Sequence, residues 1–120
     1  MKIKDVFRIL DAEILIGEEF LDKEIVEFAA SDLLSDILTF TQEGYVLLTG
    51  LTSSQVVRTA EITGALAIIF VRGKFPTQEA IGLAKSHHIP LLRTEKLMFK
   101  SCKKIVQELK EDKKNEKPLF

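Results

Sequence analysis

Four short segments hold the residue types that bind anions. They are Ser31-Asp32; Thr49-Gly50 with Thr52, Ser53 and Ser54 close behind; Arg72-Gly73-Lys74; and Arg93-Thr94. Each follows an apolar stretch. A guanidinium offers a planar fork of N–H donors that matches carboxylate or phosphate, and a lysine adds a point charge. Glycine lets a ligand approach the backbone, and the free N–H groups of a helix start carry partial positive charge. Thr49, Gly50, Thr52, Ser53, Arg72, Gly73, Lys74, Arg93 and Thr94 are therefore candidate contacts for a small anion or a nucleotide. Asp32 and Asp36 lie one helical turn apart and form a second candidate group, for a cation or as a counterweight to the basic segments.

The same residues also have plainer roles. Thr52, Ser53 and Ser54 suit a helix cap, as does Asp32, and Gly73 suits a turn. The cations have Glu61, Glu79 and Glu95 as possible partners. Two phosphate-binding loops are excluded. Gly50 to Ser54 lacks the Gly-Lys-Ser/Thr ending of a P-loop and the further glycines of a dinucleotide fingerprint. His87 and His88 are adjacent and project in different directions, so they form no metal pair. Cys102 sits on an apolar helical face beside Met98 and Ile105, where a thiol packs as a small hydrophobe. No base or carboxylate stands beside it in sequence, so no catalytic residue, metal or cofactor is expected.

These segments need a scaffold that brings them to one edge. Tyr45–Thr49 and Ala67–Val71 are unbroken apolar runs, and Ile89–Leu92 is a shorter one with Pro90 near its start. Apolar strands without alternation are covered on both faces. Glu13–Gly17 and Glu24–Ala30 supply two earlier strands, joined by a polar connection over Glu18–Lys23. Helical spacing predicts helices over Lys4–Leu10, Asp32–Phe40, Gln55–Thr63, Thr77–His87 and Glu95–Leu109. In the last of these, Leu97, Met98, Cys102, Ile105, Val106 and Leu109 are expected to face inward. Strand and helix alternate with short connections, which implies an open, mostly parallel three-layer α/β sheet with helices on both faces. Such sheets bind ligands at the carboxyl ends of their strands, where all four segments fall.

Size and composition agree with one domain. The chain has 120 residues, 46% of them hydrophobic, which is enough for a core without staples. Residues 1–110 form the expected domain, and 111–120 a charged tail expected to be disordered. Seventeen basic and eighteen acidic residues leave a net charge of -1, so nucleic acid is not an expected partner. No apolar run approaches the roughly 20 residues that span a bilayer, and the first residues lack a signal-peptide core. With a single cysteine, the chain reads as cytoplasmic.

Several segments match a known family in order and spacing. Gly44 to Thr52, Arg58-Thr59-Ala60-Glu61, Ile68 to Pro76 and Ala84 to Leu91 resemble the DRTGG domain, as do Asp32 to Asp36 and Met98-Phe99. The likeness covers most of residues 1–109. The family's Asp-Arg pair is replaced here by Leu51-Thr52, and its Thr-Gly-Gly by Arg72-Gly73-Lys74. The chain is similar to a stand-alone branch related to the N-terminal, non-catalytic domain of HPr kinase. That resemblance implies a regulatory or assembly module, homodimerisation, and Gly50, Thr52, Arg72, Gly73 and Lys74 as the positions at the family's two named loops.

Overall fold

Burial on alternating faces explains why two central strands read as unbroken apolar runs. The computed structural model describes residues 1–115. Among these, α1 (Ile3–Ile9), β1 (Glu13–Ile16), a 3-10 turn (Glu18–Phe20), β2 (Glu27–Ala30), α2 (Leu34–Phe40), β3 (Tyr45–Thr49), α3 (Ser54–Thr63), β4 (Ala67–Phe70), α4 (Gln78–Ser86), β5 (Leu91–Arg93) and α5 (Met98–Asn115) follow in order. Tyr45, Leu47, Ile68 and Phe70 pack against Ile37 of α2, Val56, Val57 and Ala60 of α3, and Ala80 and Ala84 of α4. Val46, Leu48, Ala67 and Ile69 pack on the other face, with Ile3 and Val6 of α1 and Ile105 of α5. Successive strand residues point to opposite faces, so a strand buried on both must be apolar throughout.

The sheet has the order β1-β5-β4-β3-β2. Strands β2 to β5 are parallel, and β1 lies antiparallel to β5 at the edge. This is the expected three-layer α/β arrangement. Each step from β2 to β5 moves one place across the sheet, so right-handed crossovers keep α2, α3 and α4 on one face. After β5 the chain leaves on the opposite face. Antiparallel β1 brings Glu13, its first residue, to the carboxyl end of β5, opposite Arg93.

Several boundaries differ from the sequence reading, each for a local reason. β2 starts at Glu27, and Glu24 makes only a single bridge to Lys2. The connection before it is partly structured by the 3-10 turn. α2 starts at Leu34 without a side-chain cap, so neither Ser31 nor Asp32 caps it. Ser31 Oγ instead accepts from Leu33 N at 3.0 Å, closing a tight turn before the helix. Ser53 occupies the N-cap of α3 but its hydroxyl makes no capping bond. Thr77 does cap α4, accepting from Ala80 N at 3.1 Å. On α5 the inward face is Ser101 and Ile105, with Met98 and Cys102 half-buried. Leu97, Val106 and Leu109, expected inward, are exposed. The helix continues through residues 111–115, past the boundary expected at 110, and residues 116–120 of the expected tail lie outside the described residues.

Candidate functional site

The carboxyl ends of the parallel strands do gather the predicted segments, and an aspartate stitches them together. Thr49, the last residue of β3, is buried, and its hydroxyl donates to Asp32 Oδ1 at 3.2 Å. Gly50 N donates to the same oxygen at 2.6 Å. Asp32 Oδ2 lies 3.7 Å from Arg72 Nη2. The carboxylate from the loop after β2 therefore sits on the end of β3 and reaches the loop after β4. Asp32 belongs to the basic edge; Asp36 does not join it. The Asp36 side chain lies exposed beside Phe28–Ser31 and Phe40, in a groove of about 280 Å³.

Arg72 takes its place through an unusual backbone. Its φ is 59°, and that of Gly73 is 66°. Lys74 N donates to Val71 O at 3.2 Å, so Val71–Lys74 is a tight turn whose two central residues are both left-handed. Glycine adopts that conformation freely, whereas an arginine there is uncommon. The turn is pinned from the next loop, because Arg72 N donates to Lys96 O at 2.9 Å and Gly73 N to Thr94 O at 2.8 Å. The guanidinium lies directly over Gly50, where a β-carbon would collide with it. Gly50 thus admits the close approach of the Arg72 side chain, while its own N–H is taken by Asp32.

Arg93 is held very differently. Its Nε donates to Gly73 O at 3.1 Å, Nη1 to Glu13 at 3.1 Å and Nη2 to Glu95 at 2.7 Å. The Phe75 ring covers the guanidinium at 3.9 Å. Only 13% of the Arg93 side chain remains exposed. Thr94 is buried and points inward, its hydroxyl donating to Leu10 O at 2.8 Å. Lys96 is tied to Leu10 O and Asp11. In an open α/β sheet, the ligand crevice lies where neighbouring loops leave on opposite faces, which here is between β4 and β5. The Arg72–Lys96 and Gly73–Thr94 backbone bonds and the Arg93 cluster fill that crevice. What remains open lies one strand over, around Gly50, Arg72 and Lys74.

Of the other predicted contacts, Lys74 and Ser53 are exposed, and neither side chain has a hydrogen-bond or ion-pair partner among the described residues. Thr52 contributes its carbonyl, which accepts from Thr77 N at 3.0 Å and joins the starts of α3 and α4. Ser54 pairs with Glu79 at 3.3 Å. His87 faces Glu61 at 3.9 Å, and His88 meets the edge of Phe20 with ring centres 6.1 Å apart. Burial pushes the Cys102 thiol pKa up, as suits packing rather than nucleophilic attack. Among the described residues no group of three or more His, Cys, Asp or Glu side chains is arranged to hold a metal ion. No described helix is long and apolar enough to cross a membrane.

Sequence reasoning missed two participants, Glu13 and Phe75, whereas Glu95, one of the partners it offered the cations, does pair with Arg93. Glu13 reaches this edge only because β1 runs antiparallel, which its four residues did not announce. Phe75 directly follows the basic turn and precedes Pro76, so its position was visible although its role was not. A larger cleft, of about 320 Å³, lies at the opposite end of the sheet between β1, the 3-10 turn and the end of α4. Glu18 and Glu19 line it together with Lys85 and His88, a poor electrostatic match for an anion.

No family model matches the chain, and no curated protein matches it. Solved structures do. The fold is similar to that of the CBS and DRTGG domains of the regulatory region of Clostridium perfringens pyrophosphatase, whose structure was determined in complex with its activator, diadenosine tetraphosphate. The TM-score is 0.70 at 23% identity, over 88% of this chain and 46% of that one. The chain thus spans less than half the length of that neighbour. The likeness is one of fold, and it supports a DRTGG-like arrangement of the sheet and helices.

Proposed function

We propose that this chain is a non-catalytic regulatory module that binds a small anionic ligand at the Gly50–Arg72–Lys74 edge of its sheet. One observation carries the reading. The protein already seats an anion there, the carboxylate of Asp32, on the Gly50 N–H, the Thr49 hydroxyl and the Arg72 guanidinium. A phosphate arriving from solvent meets Lys74 and the exposed face of Arg72, and competes with Asp32 for the rest. Arg93 and Thr94, engaged within the fold, act as supports in this reading. A nucleotide polyphosphate, the chemical class of the activator bound to the pyrophosphatase region, suits such an edge. The reading includes the relation to the N-terminal domain of HPr kinase, a domain confined to about residues 1–110, and a cytoplasmic setting.

The test is a thermal-shift screen with nucleotides, phosphorylated metabolites and inorganic anions, since a ligand of the native state raises the melting temperature by mass action. A hit should vanish in Arg72→Ala. It should strengthen in Asp32→Asn, because the competing internal charge is gone. Unchanged shifts in both variants would refute the assignment.

A second reading, a homodimerisation module, draws on a different region. β2 is an edge strand, and apolar side chains flank it on both faces: Phe40, 76% exposed, on one side, and Val106, 48% exposed, on the other. Open strand edges bordered by apolar surface favour pairing with another strand. A monomeric mass by sedimentation at high concentration rules this reading out. A dimer broken by Val106→Glu supports it. The two readings are compatible.

A further inference from the structure

The anion reading leaves the ligand's second half unassigned, and the residue beside the cations supplies a candidate. Phe75 follows Lys74 directly and is 61% exposed, although it is a large apolar side chain. One face of its ring is not free. It lies on the Arg93 guanidinium at 3.9 Å, and that guanidinium is locked by Glu13, Glu95 and the Gly73 carbonyl. The residue after it, Pro76, is buried and restricts the Phe75 backbone to extended conformations. Ring and backbone are therefore held before any partner arrives, which lowers the entropy lost on binding. Simple cover for Arg93 does not require an aromatic ring with so much exposed surface.

We propose that Phe75 is a stacking platform for a nucleobase, so that the ligand of this edge is a nucleotide rather than a simple anion. The inference rests on the anion reading above. Aromatic rings accept any base by its π face, and stacking of this kind changes affinity by roughly tenfold or more. The cation beneath the ring draws electron density from it, which favours an electron-rich purine above. Phe75 and Arg72 are three residues apart, so their α-carbons lie within about 11 Å. That spacing puts the base on Phe75 and its phosphates toward Lys74 and Arg72.

The chain contains no tryptophan, which gives a direct probe. Phe75→Trp places a lone indole at the platform, to be titrated with ATP, adenosine and inorganic tripolyphosphate. Affinities are measured in parallel by calorimetry on the native chain, Arg72→Ala and Phe75→Leu. The leucine variant keeps an apolar cover over Arg93 and removes the π face, and its melting curve reports folding. The expected result is indole quenching by ATP but not by tripolyphosphate. ATP should bind the native chain about tenfold or more tighter than tripolyphosphate, and Phe75→Leu should erase that excess while leaving tripolyphosphate unchanged. Equal affinity for both ligands, unaffected by Phe75→Leu, overturns the platform and leaves the anion reading standing. Adenosine binding as well as ATP, insensitive to Arg72→Ala, overturns the anion reading and leaves stacking. No binding by any of the three overturns both.

Discussion

Two arginines stand on the same edge of the sheet, and their surroundings give them opposite characters. Arg93 ends β5 with its guanidinium bonded to two carboxylates and a carbonyl and its face covered by Phe75. Arg72 follows β4 with 44% of its side chain exposed and one carboxylate at 3.7 Å. The difference arises from the backbone. Arg93 lies within a strand in register with Glu13, so its side chain is directed into the junction of β1, β5 and the loop after β4. Arg72 lies in a left-handed turn that lifts its side chain over Gly50. A cation at a strand end is thus enclosed by partners or left half open to solvent according to the turn that carries it.

The largest effect expected is for Arg93, as a fastener of this edge. Arg93→Ala strands Glu13, Glu95 and the Gly73 carbonyl around a hole. Both carboxylates are more than half exposed and regain water, so the loss is discounted to about 2 kcal/mol. Urea denaturation should show that loss without a change in slope. A loss no larger than that of Arg72→Ala would erase the distinction between the two arginines. Next in size is the turn itself. Gly73→Ala forces a β-carbon into a left-handed residue and against the Glu95 carboxylate that holds Arg93. The left-handed cost alone is about 1–2 kcal/mol. Glu95 has a flexible end and is able to yield, but only by loosening the clamp. A drop of about 1–2 kcal/mol is expected in the same measurement.

How much of this was legible follows from the same contrast. The βα units announced themselves from Tyr45 onward because both central strands are buried on two faces, and Gly64 and Thr77 mark helix ends by local chemistry. The convergence of Thr49, Gly50, Arg72 and Arg93 followed from parallel strands alone. Side-chain partners did not follow. Asp32 looked like a cap because Asp before a helix usually is one; it is drawn instead to the free N–H after β3, a contact across strands that no local spacing encodes. Ile62 and Leu38 hold helical apolar positions yet are exposed, while Thr59 is buried with its carbonyl accepting from Thr63, because a narrow stripe of each short helix reaches the sheet. Exclusions based on motif grammar, such as the missing P-loop, needed no structure.

The smallest expected change in stability is the most informative, because it separates folding from binding at one residue. Arg72→Gly removes a side chain held left-handed at a cost of about 1–2 kcal/mol. Against that gain stand about 0.5–1 kcal/mol of added backbone freedom in the unfolded chain and a surface ion pair worth at most about 1 kcal/mol. The terms nearly cancel, so the midpoint of urea denaturation should move by less than about 1 kcal/mol in equivalent stability. Arg72→Ala loses the same ion pair but keeps a β-carbon in the left-handed turn, and should be the less stable of the two. Both lack the cation, so both should lose any anion-induced thermal shift equally. Equal loss of binding with unequal stability is the signature of a strained residue kept for its charge. If Arg72→Gly is instead clearly destabilised, Arg72 is a second fastener, and the edge has no free arginine to offer a ligand.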